Sequence, residues 1–360
     1  MKRFLQFATA LIVLQFGIRD SEFASAQDIH FSQFYENAIL RNPALTGIFS
    51  GDYKAGVNYR TQWGNISNPF QTVIASVETR VAVSQETDDY LSFGLAASYD
   101  HAGSISFNSL QVVPAINYNK SLTDEHQSYL SLGFAGGYIQ RSYDASKVTV
   151  DNQWTGSGFD PNAATRENLG SKISHWDVSA GLSFNSSLGQ ENNINYYVGA
   201  AAWHVSHPKE AFNGNESLIR LSTKYVGSLG FMWHVDNNIG VSFHANYMNQ
   251  SPYQETTLGG FLSWKNTVSN TQPKAFGIYA GCFYRVKDAI IPTIKIDWQT
   301  YSFTSSYDVT TSSLKPSLNS KGGWEFSLYA RGKYKRGESA KDRVKCPRFE
   351  EMADLGGLTN

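Results

Sequence analysis

His175, His204, His207, His234 and His244 are the side chains of this chain best suited to moving protons near neutral pH. A serine activated by one of them would suit acyl chemistry on a lipid ester. The histidines fall on several separate predicted strands and loops, and no local spacing couples one to a nucleophile. The sequence has no GxSxG elbow, no HExxH, no phosphate-cradling loop and no EF-hand calcium loop. Cys282 lies in a predicted strand and Cys346 near the C-terminus, which is neither a disulfide framework nor a zinc-ligand spacing. No catalytic constellation, metal site or cofactor motif follows from these residues, so a barrel-borne lipid-modifying enzyme using His175 or His244 stands third of three functional readings.

The elements carrying these residues are written in a two-residue beat. In residues 52–60, Tyr53, Ala55, Val57 and Tyr59 alternate with Asp52, Lys54, Gly56, Asn58 and Arg60. The same split recurs at Trp176, Val178, Ala180, Leu182 and Phe184 against Asp177, Ser179, Gly181, Ser183 and Asn185. Successive strand side chains point to opposite faces, and one lipid-compatible face opposite one wet face is the pattern of an outer-membrane β-barrel. The fold class predicted is all-β, a transmembrane antiparallel barrel. Its strands are predicted at 52–63, 69–81, 89–101, 106–120, 127–141, 173–187, 193–206, 220–236, 238–248, 254–266, 274–287, 290–300, 301–310 and 322–334. About fourteen strands is an even number, as expected when both chain ends return to the periplasm.

A charge facing lipid near the midplane costs about 2–4 kcal/mol. Lys54, Arg60, Glu78, Arg80, Asp100, Lys224, Arg285, Lys295, Asp297, Glu325 and Arg331 are therefore expected to face the lumen. Whether they line a channel or pair across a closed interior is left open by the sequence. With the first strand rising outward, the odd-to-even connections are extracellular. The long stretch Ser142–Lys172, with Asn152, Trp154, Gly156, Gly158, Asp160 and Pro161, is then an outer loop. His207–Ile219 is a second, and Asp236-Asn237 a tight periplasmic turn.

The ends differ from the wall. Lys2 and Arg3, an apolar run from Phe7 to Ile18, and Ala24-Ser25-Ala26 read as a secretory signal over 1–26. That run is shorter than the roughly 20 residues a spanning helix needs. Residues 27–50 lack the beat and contain the helix-breaking pair Asn42-Pro43, so they are expected to be a periplasmic lead-in or a plug. The barrel is expected over 51–334, followed by a periplasmic tail over 335–360. Eight Lys or Arg between Arg331 and Arg348 face only Glu338 and Asp342, the pattern of a solvated extension or a docking segment. The net charge of −1 gives no electrostatic footprint for nucleic acid. Mean hydropathy of −0.34 fits a barrel wall that spends half its residues on a polar interior. The 14% aromatic content fits interfacial girdles.

From Gln27 to Gly47 the sequence QDIHFSQFYENAILRNPALTG resembles the opening of the PorP/SprF family of type IX secretion and gliding machinery. Asn42-Pro43-Ala44, Tyr59-Arg60-Thr61-Gln62-Trp63, Tyr99-Asp100-His101, Ile291-Pro292, Ser306-Tyr307-Asp308-Val309, Gly322-Gly323-Trp324-Glu325 and Cys346-Pro347-Arg348-Phe349 follow in the family's order. The resemblance implies a non-enzymatic outer-membrane barrel. Such a barrel is needed to export a secreted protein or anchor it, for instance an adhesin, at the cell surface. The implied partners are that cargo or its C-terminal domain, periplasmic machinery proteins and outer-membrane lipid, with no nucleic acid and no cofactor. Partner contacts are expected at Asn42, Pro43, Trp154, Asp160, Lys345, Cys346, Pro347, Arg348 and Phe349. A diffusion porin or small-solute transporter is the alternative that the fold alone permits.

Overall fold

In a computed structural model, the described residues are 28–62, 69–83, 88–123, 126–154, 156, 158–160, 162–163, 170–189, 192–212, 219–266, 275–312 and 321–334. The expected signal and tail, and Trp63 and Pro161, lie outside them. Fourteen antiparallel strands among the described residues close on themselves. They are β1 (Tyr53–Gln62), β2 (Phe70–Ala82), β3 (Tyr90–Ala102), β4 (Phe107–Thr123), β5 (Ser128–Ser142), β6 (Lys172–Leu188) and β7 (Ile194–Trp203) in the first half. The second half is β8 (Lys224–His234), β9 (Ile239–Gln250), β10 (Tyr253–Lys265), β11 (Phe276–Arg285), β12 (Ala289–Trp298), β13 (Tyr301–Thr310) and β14 (Lys321–Gly332). β1 pairs with β2 on one side and with β14 on the other, Lys54 standing opposite Glu78 and Arg331. No sheet edge is left open, which is the only way a sheet can cross hydrocarbon.

The alternation sets the two faces as expected. Along β12, Ile290, Pro292, Ile294, Ile296 and Trp298 are exposed, and Ala289, Ile291, Thr293, Lys295 and Asp297 are buried. β4 and β6 run to 17 residues, beyond the about 9–11 a crossing needs, and so project past the rim. The described residues of 143–171 and 204–223 lie at that rim, the long-loop rim. β7 stops at Trp203 and β8 starts at Lys224, so this second loop is longer than the His207–Ile219 read from the alternation. The other rim carries mostly short turns and both barrel ends. Pro292 and Pro114 supply no ladder donor, and pairing lapses beside each. Near Pro292 the register between β13 and β14 shifts between Tyr307 and Val309, the extra residue lying on β14 at Gly322-Gly323, while Asp308 faces inward with Ser302, Thr304, Ser306 and Thr310 by the alternation of β13.

Residues 28–50 lie within the barrel. They descend from Asp28, beside the first residue of β8 and the last of β9, to Gly51, packed on Gly332 at the opposite rim. Of the two sequence expectations for this segment, lead-in or plug, the described residues form the plug. Its apolar side chains meet inward-facing aromatics: Ala38, Leu45 and Ile48 pack with Tyr90, Tyr129 and Tyr197. Phe34 and Tyr35 pack with Phe261, Tyr279, Phe283 and Ile291.

Candidate functional site

The plug's polar atoms are met one by one by the wall. The Glu325 carboxylate of β14 accepts from the backbone N–H groups of Ser32 (2.8 Å) and Gln33 (3.0 Å) and from Asn58 Nδ2 (2.9 Å). Gln33 Nε2 donates back to the Glu325 carbonyl (2.9 Å) and to Ser306 (3.0 Å). Asp308, on the inward face of β13, takes Ser32 Oγ (2.6 Å), Arg60 (3.0 Å) and Arg285 (3.1 Å). Arg60 also donates to the His30 carbonyl at 2.7 Å. The motif residues Arg60, Asp308 and Glu325, far apart in sequence, thus form one socket for two consecutive plug residues. Charge-assisted bonds of this kind are stronger than neutral ones, and each here is shielded from water.

A second socket lies nearer the short-turn rim. Glu36 pairs with Lys295 at 2.9 Å and approaches Arg331 at 4.0 Å, while Lys54 donates to the Glu36 carbonyl at 3.3 Å. Burial works against the Glu36 carboxylate, but Lys295, Lys54 and Arg331 outweigh it and bring its pKa down to about 2. The helical turn α1 (Ala38–Arg41) then ends, because Asn42 is extended and Pro43 cannot continue it. Asn42 Oδ1 caps the following 3₁₀ turn at Ala44 N (2.9 Å), and its Nδ2 donates to the Leu182 and Ala200 carbonyls (3.2 and 3.3 Å). Gly133, Gly181 and Gly199 of three neighbouring strands leave the room for this turn, since a Cβ on Gly133 or Gly181 would overlap it. Asn117 holds the turn's far side through the Ala44 and Thr46 carbonyls (2.9 and 2.8 Å). Asn42 is wholly buried. Asn42 and Pro43, expected at a partner contact, are enclosed by the wall, and what they contact is the barrel itself.

At the long-loop rim the plug begins in an ion cluster. His204, fully buried just after β7, places Nδ1 2.8 Å from Asp177 and Nε2 2.9 Å from Asp28. Both nitrogens face carboxylates, so both must carry protons. Burial opposes that charge, but Asp28 and the Asp177 hydrogen bond raise the His204 pKa to about 9. Burial likewise pushes the Asp28 carboxyl up, yet Lys224 (2.5 Å) and His204 hold it well below the usual carboxylate range. Arg141 lies 3.9 Å from Asp28 and pairs with Glu210 of the β7–β8 loop. His30 is different. Burial, reinforced by Arg60 and Arg285, pushes it well below its ordinary value, so its 3.9 Å approach to Glu255 joins a neutral ring to a carboxylate.

Above this cluster stand the loops. Tyr143 and Phe107 pack on Phe212 with ring centroids 5.0 and 6.4 Å apart, which braces the β5–β6 loop against the β7–β8 loop. A β-bridge joins Trp154 to Phe159, and Trp154 is 64% exposed. Asp160 fixes the hairpin's end, its N–H donating to the Gln153 carbonyl and its carboxylate accepting from Asn162 N (both 2.9 Å). Lys345, Cys346, Pro347, Arg348 and Phe349 lie outside the described residues. Glu325 was visible in sequence as a motif residue and as an inward charge, but not as the acceptor of the plug's backbone. The glycine seats at 133, 181 and 199 carried no sequence signal beyond alternation. Gly259, Gly260, Gly322 and Gly323 lie where neighbouring backbone comes close, whereas nothing approaches Gly136.

Fold and site together define a closed, internally plugged barrel of the outer-membrane class. The family described as type IX secretion system membrane protein PorP/SprF matches residues 23–329, and the chain belongs to that family. It is accordingly an outer-membrane component of type IX secretion. Among solved structures it is similar to the Pseudomonas putida toluene transporter TodX (11% identity, 86% of this chain and 94% of that one, TM-score 0.43). The CymD monoaromatic hydrocarbon channel gives 10% identity, 83% and 93% coverage and a TM-score of 0.45. CdiB from Acinetobacter baumannii gives 8% identity and a TM-score of 0.39, this chain covering 78% of itself and 60% of CdiB. No curated protein sequence matches the chain.

Proposed function

We propose that this protein is a non-enzymatic platform of the type IX machinery. It serves export of a secreted protein such as an adhesin, or holds it at the cell surface, and does not conduct solutes through its own lumen. The observation that carries this reading is the plug. Inward charges that a porin would present to permeating solutes are turned instead onto residues 28–50. Lys54, Arg60, Glu325 and Arg331 are each at most 2% exposed. Because longer loops of such barrels face outward, we assign the long-loop rim to the cell exterior. Braced loops carrying Trp154 and Phe159 then form a cargo-facing mouth. The basic tail after Tyr334 would reach periplasmic machinery proteins.

Two measurements test the reading. The purified barrel should be electrically silent in planar bilayers, and crosslinking in native outer membranes should capture a secreted protein or its C-terminal domain at the mouth. Steady single-channel conductance with no captured protein would instead restore the diffusion porin.

A further inference from the structure

Between the plug and β8, β9 and β10 a gap remains beside the contacts that Tyr35 makes with His244 and Phe261. A crevice opens at the mouth beside Tyr253 and Gln254, passes Ile29, Met248 and Glu255, and ends at Asn37, Leu40, Arg41 and Asn246. Its lower part, open on one side, has a volume of about 40 Å³, room for about three water-sized groups.

The floor of this crevice has unmet chemistry. Arg41 is 5% exposed, and its guanidinium meets Tyr197 Oη at 3.0 Å and the rings of Phe34 and Tyr197 at 5.7 and 5.3 Å. None of these is an anion. Among the described residues no carboxylate comes within ion-pair range of it, whereas Arg60, Arg285 and Lys295 each reach one. Arg41 Nε has no acceptor, Asn37 Nδ2 has none, and Asn246 Oδ1 has no donor. A buried cation without a counter-ion is unfavourable, and buried polar groups ordinarily find partners. One positive donor and one neutral donor suit the two oxygens of a carboxylate. An acceptor beside them suits an N–H on the same ligand. Phe34, Leu40 and Met248 add an apolar flank.

We propose that this crevice binds the C-terminal end of a polypeptide entering from the mouth. The terminal carboxylate sits at Arg41 Nε and Asn37 Nδ2, the last peptide N–H donates to Asn246 Oδ1, and a small apolar last side chain lies against Leu40 and Met248. The proposal rests on the reading that a partner docks at the mouth, but its test does not need that partner.

The probe is fluorescein-Gly-Ser-Gly-Ala-Val with a free carboxylate, added to the full-length protein in detergent micelles and followed by fluorescence polarisation. Its C-terminal amide, and an amidated peptide with an internal Asp, serve as comparisons, and acetate as competitor. The free acid should bind at least about ten-fold tighter than either amide, as expected for a lost charge-assisted pair. Met248→Trp fills the crevice without removing any hydrogen bond of the plug, and it should abolish binding while residues 28–50 stay protected from protease. Equal binding of acid and amide overturns the carboxylate assignment. Equal binding of the internal Asp peptide overturns the chain end, and full competition by acetate at equal concentration means a small-anion site only. Binding that survives Met248→Trp, or no binding at all, overturns the crevice. Failure of native crosslinking with peptide binding intact would count against the docking partner alone.

Discussion

Two walls of the same lumen treat the plug in opposite ways. β12 to β14 and β1 meet its backbone and its Glu36 with carboxylates and cations, Glu325, Asp308, Lys295 and Arg60, all buried. β8 and β9 bond to it only at the rim, through Asp28 with Lys224 and Gln250; below that they meet it through apolar and ring contacts such as Tyr35 on His244, with no hydrogen bond among the described residues. The contrast separates two jobs within one barrel. A gripping wall makes the plug a fixed part of the fold, because several buried charges cannot lose a partner cheaply. A wall that touches the plug without polar bonds leaves space and unspent polar groups.

The comparison breaks most readily on its gripping side. Glu325→Ala would leave Arg60 short of one carboxylate and two backbone N–H groups without acceptors. The expected cost is about 3–5 kcal/mol, enough to release the plug's upper half. Residues 28–36 should become cleavable by an added protease, and the silent barrel should show conductance in bilayers. Protection and silence in that variant would mean that the wall does not grip.

Gly181→Val attacks the same segment by volume instead of charge. Its Cβ would overlap Asn42 Oδ1, and that side chain cannot swing aside without giving up its bonds to Ala44 N and to the Leu182 and Ala200 carbonyls. Overpacking of this kind costs about 1–3 kcal/mol. Protease sensitivity should now centre on residues 42–47 while the ion clusters above still hold.

Proton linkage distinguishes the rim latch from both. His204 has its pKa raised from 6.5 to about 9, so the stability it lends is fully present below pH 6.5 and is lost as pH rises through 9. Asp28 is shifted the other way. Its contribution is present above pH 3.8 and lost as pH falls through its lowered value. The latch should therefore hold best between these limits, contributing on the order of 2–3 kcal/mol at neutral pH. Hydrogen exchange of residues 28–31 should accelerate above pH 9 in the native chain, and His204→Gln should remove that alkaline step. An unchanged step would place the titrating group elsewhere.

This latch also shows what the sequence could and could not reveal. The faces of β9 and β12 follow from alternation alone, since burying every second residue is all a barrel asks of them. Inward charges were legible for the same reason. Their partners were not, because Arg60, Asp308 and Glu325 meet only after the barrel closes and the plug is threaded between them. His204 read as a strand residue, but β7 ends one residue earlier and its positive φ of 60° turns the ring back into the lumen. Asn42-Pro43 marked an interruption correctly, while its enclosure depended on three distant glycines.

The smallest effect on stability should come from the mouth. Trp154 is 64% exposed, and its bridge to Phe159 is made by backbone, which alanine retains. Trp154→Ala should therefore leave heat stability within about 0.5 kcal/mol of the parent, as surface changes usually do. Plug protection should be equally unchanged. Exposed aromatics are, however, the residues that most often anchor an interface, and loss of one should lower crosslinked capture of the secreted partner in native membranes. Capture at parental levels would move the docking surface away from this hairpin, to the β7–β8 loop that Phe212 braces against its base. Reduced capture with an intact plug would show that the mouth binds through its loops while the socket below stays closed.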